Sequence, residues 1–266
     1  MLGMPVSVAQ LGDMALLLGI STVRLAVAFL LLPMFTQEAI PPLVRNSLFM
    51  GLAVITLTLQ PAASPAALDA ARWLTLFAKE AFIGIAIGIF ASSLLWAIES
   101  AGQLIDAKAG TSLGALIDPM NGQQTSNSGL FLARLGSFVF MASGGFMFLV
   151  GVLLESYALW PVMAAMPELR PDAASGFEQA LGRMMLLMLL IAAPILLVLY
   201  VIDAALGLVN RYAPAVNLLT IAPPMKSLIA IVVLMILLGS FIDLLVQEFT
   251  QRIPGILPTL QKMLVR

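Results

Sequence analysis

Long apolar stretches separated by short polar ones set the pattern of this sequence. Six stretches consist mainly of Leu, Ile, Ala, Met and Gly, and each is close to the roughly 17–25 residues that a membrane-spanning helix needs. They are Met14–Phe35, Leu43–Leu59, Leu76–Ile98, Leu130–Leu154, Met184–Leu208 and Ser227–Val246. Only a helix satisfies its backbone hydrogen bonds within one segment, and the alternation expected of a barrel strand is missing. We therefore predict an all-α fold of about six hydrophobic helical segments, with one domain over residues 1–266.

Composition indicates where these helices reside. Hydrophobic residues make up 61% of the chain and charged residues only 10%, with a mean hydropathy of +1.05. A soluble domain carries roughly 25% charged residues. Lipid or apolar partner subunits must therefore cover much of the surface, and we predict a membrane protein.

The charged and reactive residues exclude several classes of function. The net charge is −1 without any basic run, so the phosphate-neutralising patch of a nucleic-acid-binding protein is absent. Cysteine and histidine are both absent, which removes thiolate nucleophiles, the usual zinc ligands and Ser-His pairs. We predict no nucleic-acid partner, no metal, no cofactor and no enzymatic activity.

Several apolar segments contain ionisable residues, which are costly at the centre of a bilayer and so face protein, water or one another. These residues are Arg24, Lys79, Glu80, Arg134, Asp203 and Asp243. Snorkelling or structural pairing is one interpretation, and an ion path is a less favoured one. Gly84 and Gly88, spaced four apart, and the Ser143-Gly144-Gly145 run permit close helix approach. We interpret these charges, together with Lys226, Gly84 and Gly88, as contacts to other subunits.

Two long connections, Glu99–Gly129 and Glu155–Arg183, are predicted as loops. The first is rich in glycine yet apolar, which suits a cavity better than open water. We interpret it as a gate or plug, with a re-entrant loop that only packs as the alternative. Its candidate gate residues are Asp106, Gly110, Ser112, Leu113, Gly114, Leu116, Ile117, Asp118, Pro119, Met120, Gly122 and Gln124.

A protease and a transporter are the two alternatives to a gate. Asp106 and Asp118 invite an aspartyl-protease hypothesis, but both lie in the predicted loop and lack a Gly-x-Gly-Asp context. A six-helix transporter of ions or small molecules is the second alternative. It predicts matching broken helices in the two halves of the chain, and Pro194 has no counterpart in the first half.

An ordered set of motifs carries a family resemblance. It comprises Gly102-Gln103-Leu104-Ile105-Asp106, Gly110-x-Ser112, Asp118-Pro119-x2-Gly122-x-Gln124-Thr125-Ser126, Gly144-Gly145-Phe146, Glu155-Ser156-Tyr157, Trp160-Pro161-Val162, Asn210-Arg211-Tyr212-Ala213-Pro214-x2-Asn217 and Pro224-Met225-Lys226-Ser227. In this order and over nearly the whole chain, it resembles the SctT/FliR family of type III secretion export-apparatus proteins. The Gln-Thr-Ser and Ser-Tyr-x2-Trp-Pro stretches are more similar to the injectisome branch than to the flagellar branch.

The resemblance implies a role in protein export. It implies that the helices form membrane-associated hairpins, which assemble with SctR-like and SctS-like subunits into a helical export gate. This gate is the entrance for unfolded substrates in the basal body at the bacterial inner membrane. It assigns the loop over residues 106–125 to the pore as a plug, in agreement with the gate interpretation. It also directs Lys226 and the tail Arg252–Arg266 towards the cytoplasmic mouth or an SctU-like switch protein.

Overall fold

The computed structural model describes residues 8–36, 40–59, 69–110, 126–171, 173–212 and 218–265. Within them the chain is almost entirely helical, which confirms the predicted all-α class. The helices are α1 (Val8–Leu30), α2 (Pro42–Leu59), α3 (Ala70–Ala109), α4 (Asn127–Ala142), α5 (Gly145–Leu159), α6 (Ala173–Tyr212), α7 (Leu218–Arg252) and α8 (Ile256–Met263). A 3-10 turn, Pro33–Phe35, follows α1, and two short strands, β1 (Glu168–Leu169) and β2 (Leu264–Val265), form an antiparallel pair.

These elements form two compact units. The first contains Met1–Ser92, Gly144–Gln179 and Gln251–Arg266, and the second contains Ser93–Ser143 and Ala180–Thr250. Each is described separately below. The prediction of one domain over residues 1–266 stays a prediction.

In the first unit, α1 packs against α2 and against the first part of α3. The rings of Phe29, Phe35 and Phe49 stack or tilt against one another, with the centroids of Phe29 and Phe35 5.0 Å apart. Phe146 at the start of α5 joins this aromatic cluster. Such pairs add stability beyond the apolar area that they bury, so this cluster strengthens the core of the unit.

The end of the chain is folded back onto the first unit. Helix α8 buries one face, formed by Ile256, Leu257, Leu260 and Met263. Strand β2 then pairs with β1, and the amide of Arg170 donates to the carbonyl oxygen of Met263 at 3.0 Å. The tail that we predicted at the cytoplasmic mouth is therefore anchored within the unit by both side-chain burial and backbone hydrogen bonds.

The second unit contains the last part of α3 with α4, most of α6 and most of α7. A Cβ placed on Gly136 of α4 would lie 2.8 Å from the Cδ1 atom of Ile98, so α3 and α4 approach closely there. Phe140 contacts Phe249 edge to face with centroids 5.3 Å apart. Arg183 of α6 forms an ion pair with Glu248 of α7.

The lengths and composition of the helices fit a membrane protein. Among the described residues, α3, α6 and α7 are long and apolar enough to cross a bilayer, and α4 with α5 makes a fourth if that interrupted pair is counted as one span. Helices α1 and α2 contain shorter apolar stretches. Most of the apolar stretch of α3 is buried, whereas most of the apolar stretches of α6 and α7 are not.

Three predicted boundaries were wrong. The first long loop was predicted to begin at Glu99, but α3 continues through Ala109. The second was predicted over Glu155–Arg183, yet most of that range is helical at the ends of α5 and α6. The fourth apolar segment is not one helix either, because Gly144 has a φ of 79°, a left-handed conformation that interrupts it between α4 and α5.

Candidate functional site

The chain is described up to Gly110 at the N-terminal side of the predicted gate loop. This residue has a φ of 84° and its amide donates to the carbonyl oxygen of Asp106 at 3.1 Å, which is the usual left-handed glycine cap of a helix. The chain is described again from Ser126, where α4 begins. Ten of the predicted gate residues lie outside the described residues: Ser112, Leu113, Gly114, Leu116, Ile117, Asp118, Pro119, Met120, Gly122 and Gln124.

Asp106 joins the two ends of this loop. Its Oδ2 atom accepts hydrogen bonds from the Ser126 hydroxyl and the Ser128 amide, both at 2.8 Å, and Oδ1 accepts from the Ser128 hydroxyl at 2.5 Å. The Ser126 hydroxyl in turn accepts from the Gly129 amide at 2.9 Å and so caps α4. A buried carboxylate therefore lies at the positive end of α4, where the helix dipole favours it. Asp106 belongs to α3 and not, as we predicted, to the loop itself.

A glycine allows α3 and α4 to meet at this level. A Cβ placed on Gly102 would lie 2.5 Å from the Gly129 nitrogen and from the carbonyl carbon and oxygen of Ser128. These are backbone atoms, which cannot move aside as a side chain does. The hydrogen bonds of Asp106 thus depend on a glycine one turn earlier in α3, a contact that the sequence analysis did not identify.

An ion triad holds the other side of the same helix end. Lys108 Nζ lies 2.7 Å from Oδ2 of Asp203 in α6, and Lys226 of α7 pairs with Oδ1 of the same carboxylate. The Lys108 ammonium also lies 3.9 Å from the centroid of the Tyr200 ring. Asp203 and Lys226, which we predicted as subunit contacts, are therefore brought together with Lys108 inside the second unit.

A second charged cluster is buried in the first unit. Nε and Nη2 of Arg24 in α1 donate to both carboxylate oxygens of Glu80 in α3, at 2.8 and 2.9 Å. Arg24 also donates to the Ser156 hydroxyl and to the Trp160 carbonyl, and its guanidinium lies 4.0 Å from the Tyr157 ring centroid. Both charged side chains are fully buried. This bidentate geometry makes a carboxylate–arginine pair stronger than a single hydrogen bond does.

Lys79 completes that cluster. Its ammonium donates to three carbonyl oxygens of the segment that follows α5, at 2.7 Å for Pro161, 2.5 Å for Val162 and 3.1 Å for Ala164. It also lies 3.3 Å from the Glu80 carboxylate. Arg24, Lys79 and Glu80 were predicted to contact other subunits, but burial leaves them no surface, and they hold α1, α3 and this segment together instead.

Of the remaining predicted contact residues, two glycines face another helix of this chain and two charged residues are exposed. Gly84 and Gly88 face α1 of the same chain, since a Cβ on Gly84 would lie 2.7 Å from the Arg24 carbonyl oxygen. Arg134 in α4 and Asp243 in α7 are exposed. They therefore stay available for the subunit contacts that we predicted.

Most of the chain matches a family of known proteins. The family described as "Bacterial export proteins, family 1" matches residues 15–252, from α1 to the end of α7. The chain belongs to this family. The matched range includes the helices that form both charged clusters and the two ends of the predicted gate loop.

Individual relatives match about 80% of the chain. "Yop proteins translocation protein T" of Yersinia pestis is 30% identical over 214 residues, which cover 80% of this chain and 82% of that protein. "Surface presentation of antigens protein SpaR" of Salmonella typhimurium is 30% identical over 80% of this chain and 79% of its own. "Flagellar biosynthetic protein FliR" of Bacillus subtilis is 25% identical over 80% of this chain and 83% of its own. The predicted family resemblance is confirmed.

Proposed function

We propose that this bacterial export protein is a core subunit of a type III export gate in the inner membrane. It assembles with SctR-like and SctS-like subunits within the basal body and forms the entrance through which unfolded proteins leave the cytoplasm. An SctU-like switch protein docks on this assembly. Relatives named for protein translocation and for flagellar biosynthesis both match. We favour the injectisome because of the Gln-Thr-Ser and Ser-Tyr-x2-Trp-Pro motifs.

The observation that carries the proposal is that the end of α3 and the start of α4, between which the gate loop lies, are fixed to each other. A loop that plugs a pore must be anchored firmly at both ends while its middle remains able to move. Asp106 supplies the anchor by linking the end of α3 to Ser126 and Ser128 at the start of α4. The tight approach at Gly102 keeps these two helix ends in register.

The sequence of the loop suits a seal. Leu113, Leu116, Ile117 and Met120 exclude water and ions when they are packed in a narrow channel. Gly114 and Gly122 let the backbone move aside for a polypeptide. In this proposal the plug is the part of residues 106–125 that follows the end of α3 at Ala109, and Asp118 accepts hydrogen bonds that favour its closed form.

The exposed surface of the long helices supports assembly. In α6, Leu197, Tyr200 and Val201 are between 59% and 65% exposed, and in α7 Ile236 is 75% exposed. Such apolar faces need lipid or apolar partner helices to cover them. The relatives are translocation and flagellar biosynthesis proteins, which supports a role in transport without chemistry of its own.

The plug is tested by shortening the loop. Replacing residues 113–121 with a short Gly-Ser linker is expected to leave assembly intact and to raise potassium efflux from proteoliposomes containing the purified complex, because the apolar seal is removed. The matched control places a Gly-Ser sequence at residues 61–65, another connection between two helices. Equal efflux from the two variants and the wild type would refute the plug.

A further inference from the structure

Arg45, in the first turn of α2, is a buried cation without an anionic partner among the described residues. It is only 9% exposed. Its Nη1 atom donates to the carbonyl oxygen of Phe35 at 3.1 Å, whereas Nε is the one buried side-chain nitrogen or oxygen atom of the described chain without a hydrogen-bond partner. No ion pair of the described residues includes Arg45. A buried charged donor without an acceptor is costly, so this position favours the binding of an anion.

Arg24, in the same unit, shows which kind of group fits. Arg24 directs Nε and Nη2 at the two oxygens of the Glu80 carboxylate, while its Nη1 donates to Ser156. In Arg45, Nη1 is likewise bonded, but the edge formed by Nε and Nη2 has no acceptor among the described residues. The planar guanidinium fork matches the paired oxygens of a carboxylate or a phosphate. This edge of Arg45 therefore fits a group with two anionic oxygens.

The start of α2 favours a phosphate as that group. Side chains tilt towards the N-terminus of their helix, and the bond to Phe35, which precedes α2, places the guanidinium at that end. The first-turn amides of Leu43 and Val44 have no partner within the helix, and the first turn contains no acidic side chain. Phosphates bind at helix N-termini because free amides and the helix dipole attract them. Arg45 and the start of α2 thus favour an anion at the same end of the helix.

An exposed apolar face extends along α2 from this end. Leu43 is 80% exposed, and Met50, Val54 and Ile55 are between 47% and 58% exposed. Residues 48–59 include no charged and no amide side chain. From Leu43 to Ile55 the helix rises about 18 Å, close to half of the roughly 30 Å hydrocarbon core of a bilayer. A single acyl chain therefore matches this face in both length and chemistry.

We propose that Arg45 and the first turn of α2 bind the phosphate of an anionic phospholipid, whose acyl chains lie along the exposed apolar face of α2. A phospholipid combines the two features that this helix accommodates, an anion with paired oxygens and an apolar tail. Free phosphate has the same headgroup chemistry but leaves the apolar face uncovered. A bilayer supplies such lipids to every exposed apolar helix, so this inference requires a membrane location and does not depend on the export gate.

The test measures binding of phosphatidylglycerol to the full-length protein in a neutral, phosphate-free detergent by native mass spectrometry. The wild type is expected to bind this lipid at least about tenfold more tightly than Arg45→Met, because a hydrogen bond to a charged group contributes on that order. Arg72→Met is the matched control, since Arg72 is an exposed arginine of the same unit, and it is expected to bind as the wild type does. Equal affinity of the wild type and Arg45→Met would overturn the site.

Two further probes identify the part of the lipid that is recognised. Inorganic phosphate lacks the acyl chains, and diacylglycerol lacks the phosphate, so each is expected to bind the wild type at least about tenfold more weakly than phosphatidylglycerol does. Inorganic phosphate that binds as tightly as the lipid would indicate a site for free phosphate. Diacylglycerol that binds as tightly would indicate adsorption to the apolar face alone. Either result would overturn the proposal of a phospholipid site.

Thermal unfolding distinguishes a lipid from a partner within the protein. Phosphatidylglycerol is expected to raise the unfolding temperature of the wild type but not that of Arg45→Met. Without lipid the two proteins are expected to unfold at similar temperatures, because the wild type then retains an uncompensated buried charge. A large loss of stability in lipid-free Arg45→Met would show that the chain itself pairs the guanidinium, and would overturn the proposal.

Arg45→Lys provides a second variant, since it keeps the positive charge but not the fork. Its affinity for phosphatidylglycerol is expected to lie between those of the wild type and Arg45→Met, and an affinity no higher than that of Arg45→Met would contradict recognition of the phosphate charge. A carboxylate of a partner protein is the remaining occupant. It would be indicated if the phosphate probes bound all variants equally while Arg45→Met alone failed to assemble with its partners, and the lipid proposal would then be wrong.

Discussion

Glu80→Gln is expected to remove a large part of the stability of the first unit. Arg24 and Lys79 are both buried and both face the Glu80 carboxylate. Glutamine retains the size of the side chain but removes the negative charge, and its amide group turns a donor towards the donors of Arg24. Removing one partner of a buried ion pair costs about 3–5 kcal/mol. Because a whole domain is stable by only about 5–15 kcal/mol, we expect a large loss of folded protein.

The measurement is the thermal unfolding of the purified protein in detergent, together with its yield. Glu178→Gln is the matched control, because it makes the same chemical change at an exposed position of the first unit. That control is expected to unfold at the wild-type temperature. A Glu80→Gln protein with wild-type yield and wild-type unfolding temperature would show that the buried cluster does not hold α1 and α3 together.

Gly102→Ala is expected to separate the helices that carry the gate loop. The new Cβ would lie 2.5 Å from backbone atoms of Ser128 and Gly129, closer than real Cβ atoms come to such atoms. Overpacking costs about 1–3 kcal/mol or more even where side chains can adjust, and here the backbone of α4 must shift. The shift breaks the bonds from Ser126 and Ser128 to Asp106, so we expect reduced stability together with loss of secretion. Gly102→Val is expected to reduce stability and secretion further, because its side chain is larger.

Gly239→Ala provides the control for this prediction. Gly239 lies in α7, in the same unit, and a Cβ there would meet nothing within 4 Å. Alanine is favoured over glycine within a helix by about 0.5–1 kcal/mol, so this variant should be as stable as the wild type or slightly more stable. Secretion assays and thermal unfolding of the wild type, Gly102→Ala, Gly102→Val and Gly239→Ala check the prediction. Normal secretion by Gly102→Ala would mean that the close approach is dispensable.

The helices were predictable because hydrophobicity alone defines them. Five of the six apolar segments each coincide with one helix of the structure, and the fourth, Leu130–Leu154, is divided between α4 and α5. The end of α3 was harder to predict, because Gly102 and Asp106 are typical of loops. Ala101, Ile105 and Ala109 nevertheless recur every four residues and are buried, which was the helical signal available in the sequence.

The candidate site was predictable only in part, because its contacts join distant parts of the chain. Sequence analysis identified Arg24 and Glu80 as costly charges, but the partners lie 56 positions apart and no local pattern connects them. The interruption at Gly144 was missed for a different reason. Glycine pairs in membrane helices usually serve close packing, and a left-handed φ cannot be distinguished from that use by residue type alone.

The central claim, that this chain is a subunit of an export gate, is tested most directly by co-expression with its SctR-like and SctS-like neighbours. The complex is extracted in a mild detergent and its mass is determined under native conditions. The account predicts a stable hetero-oligomer that contains this chain, with the exposed faces of α6 and α7 protected from labelling. A monomer or homo-oligomer without affinity for those partners would contradict it and would favour a six-helix transporter.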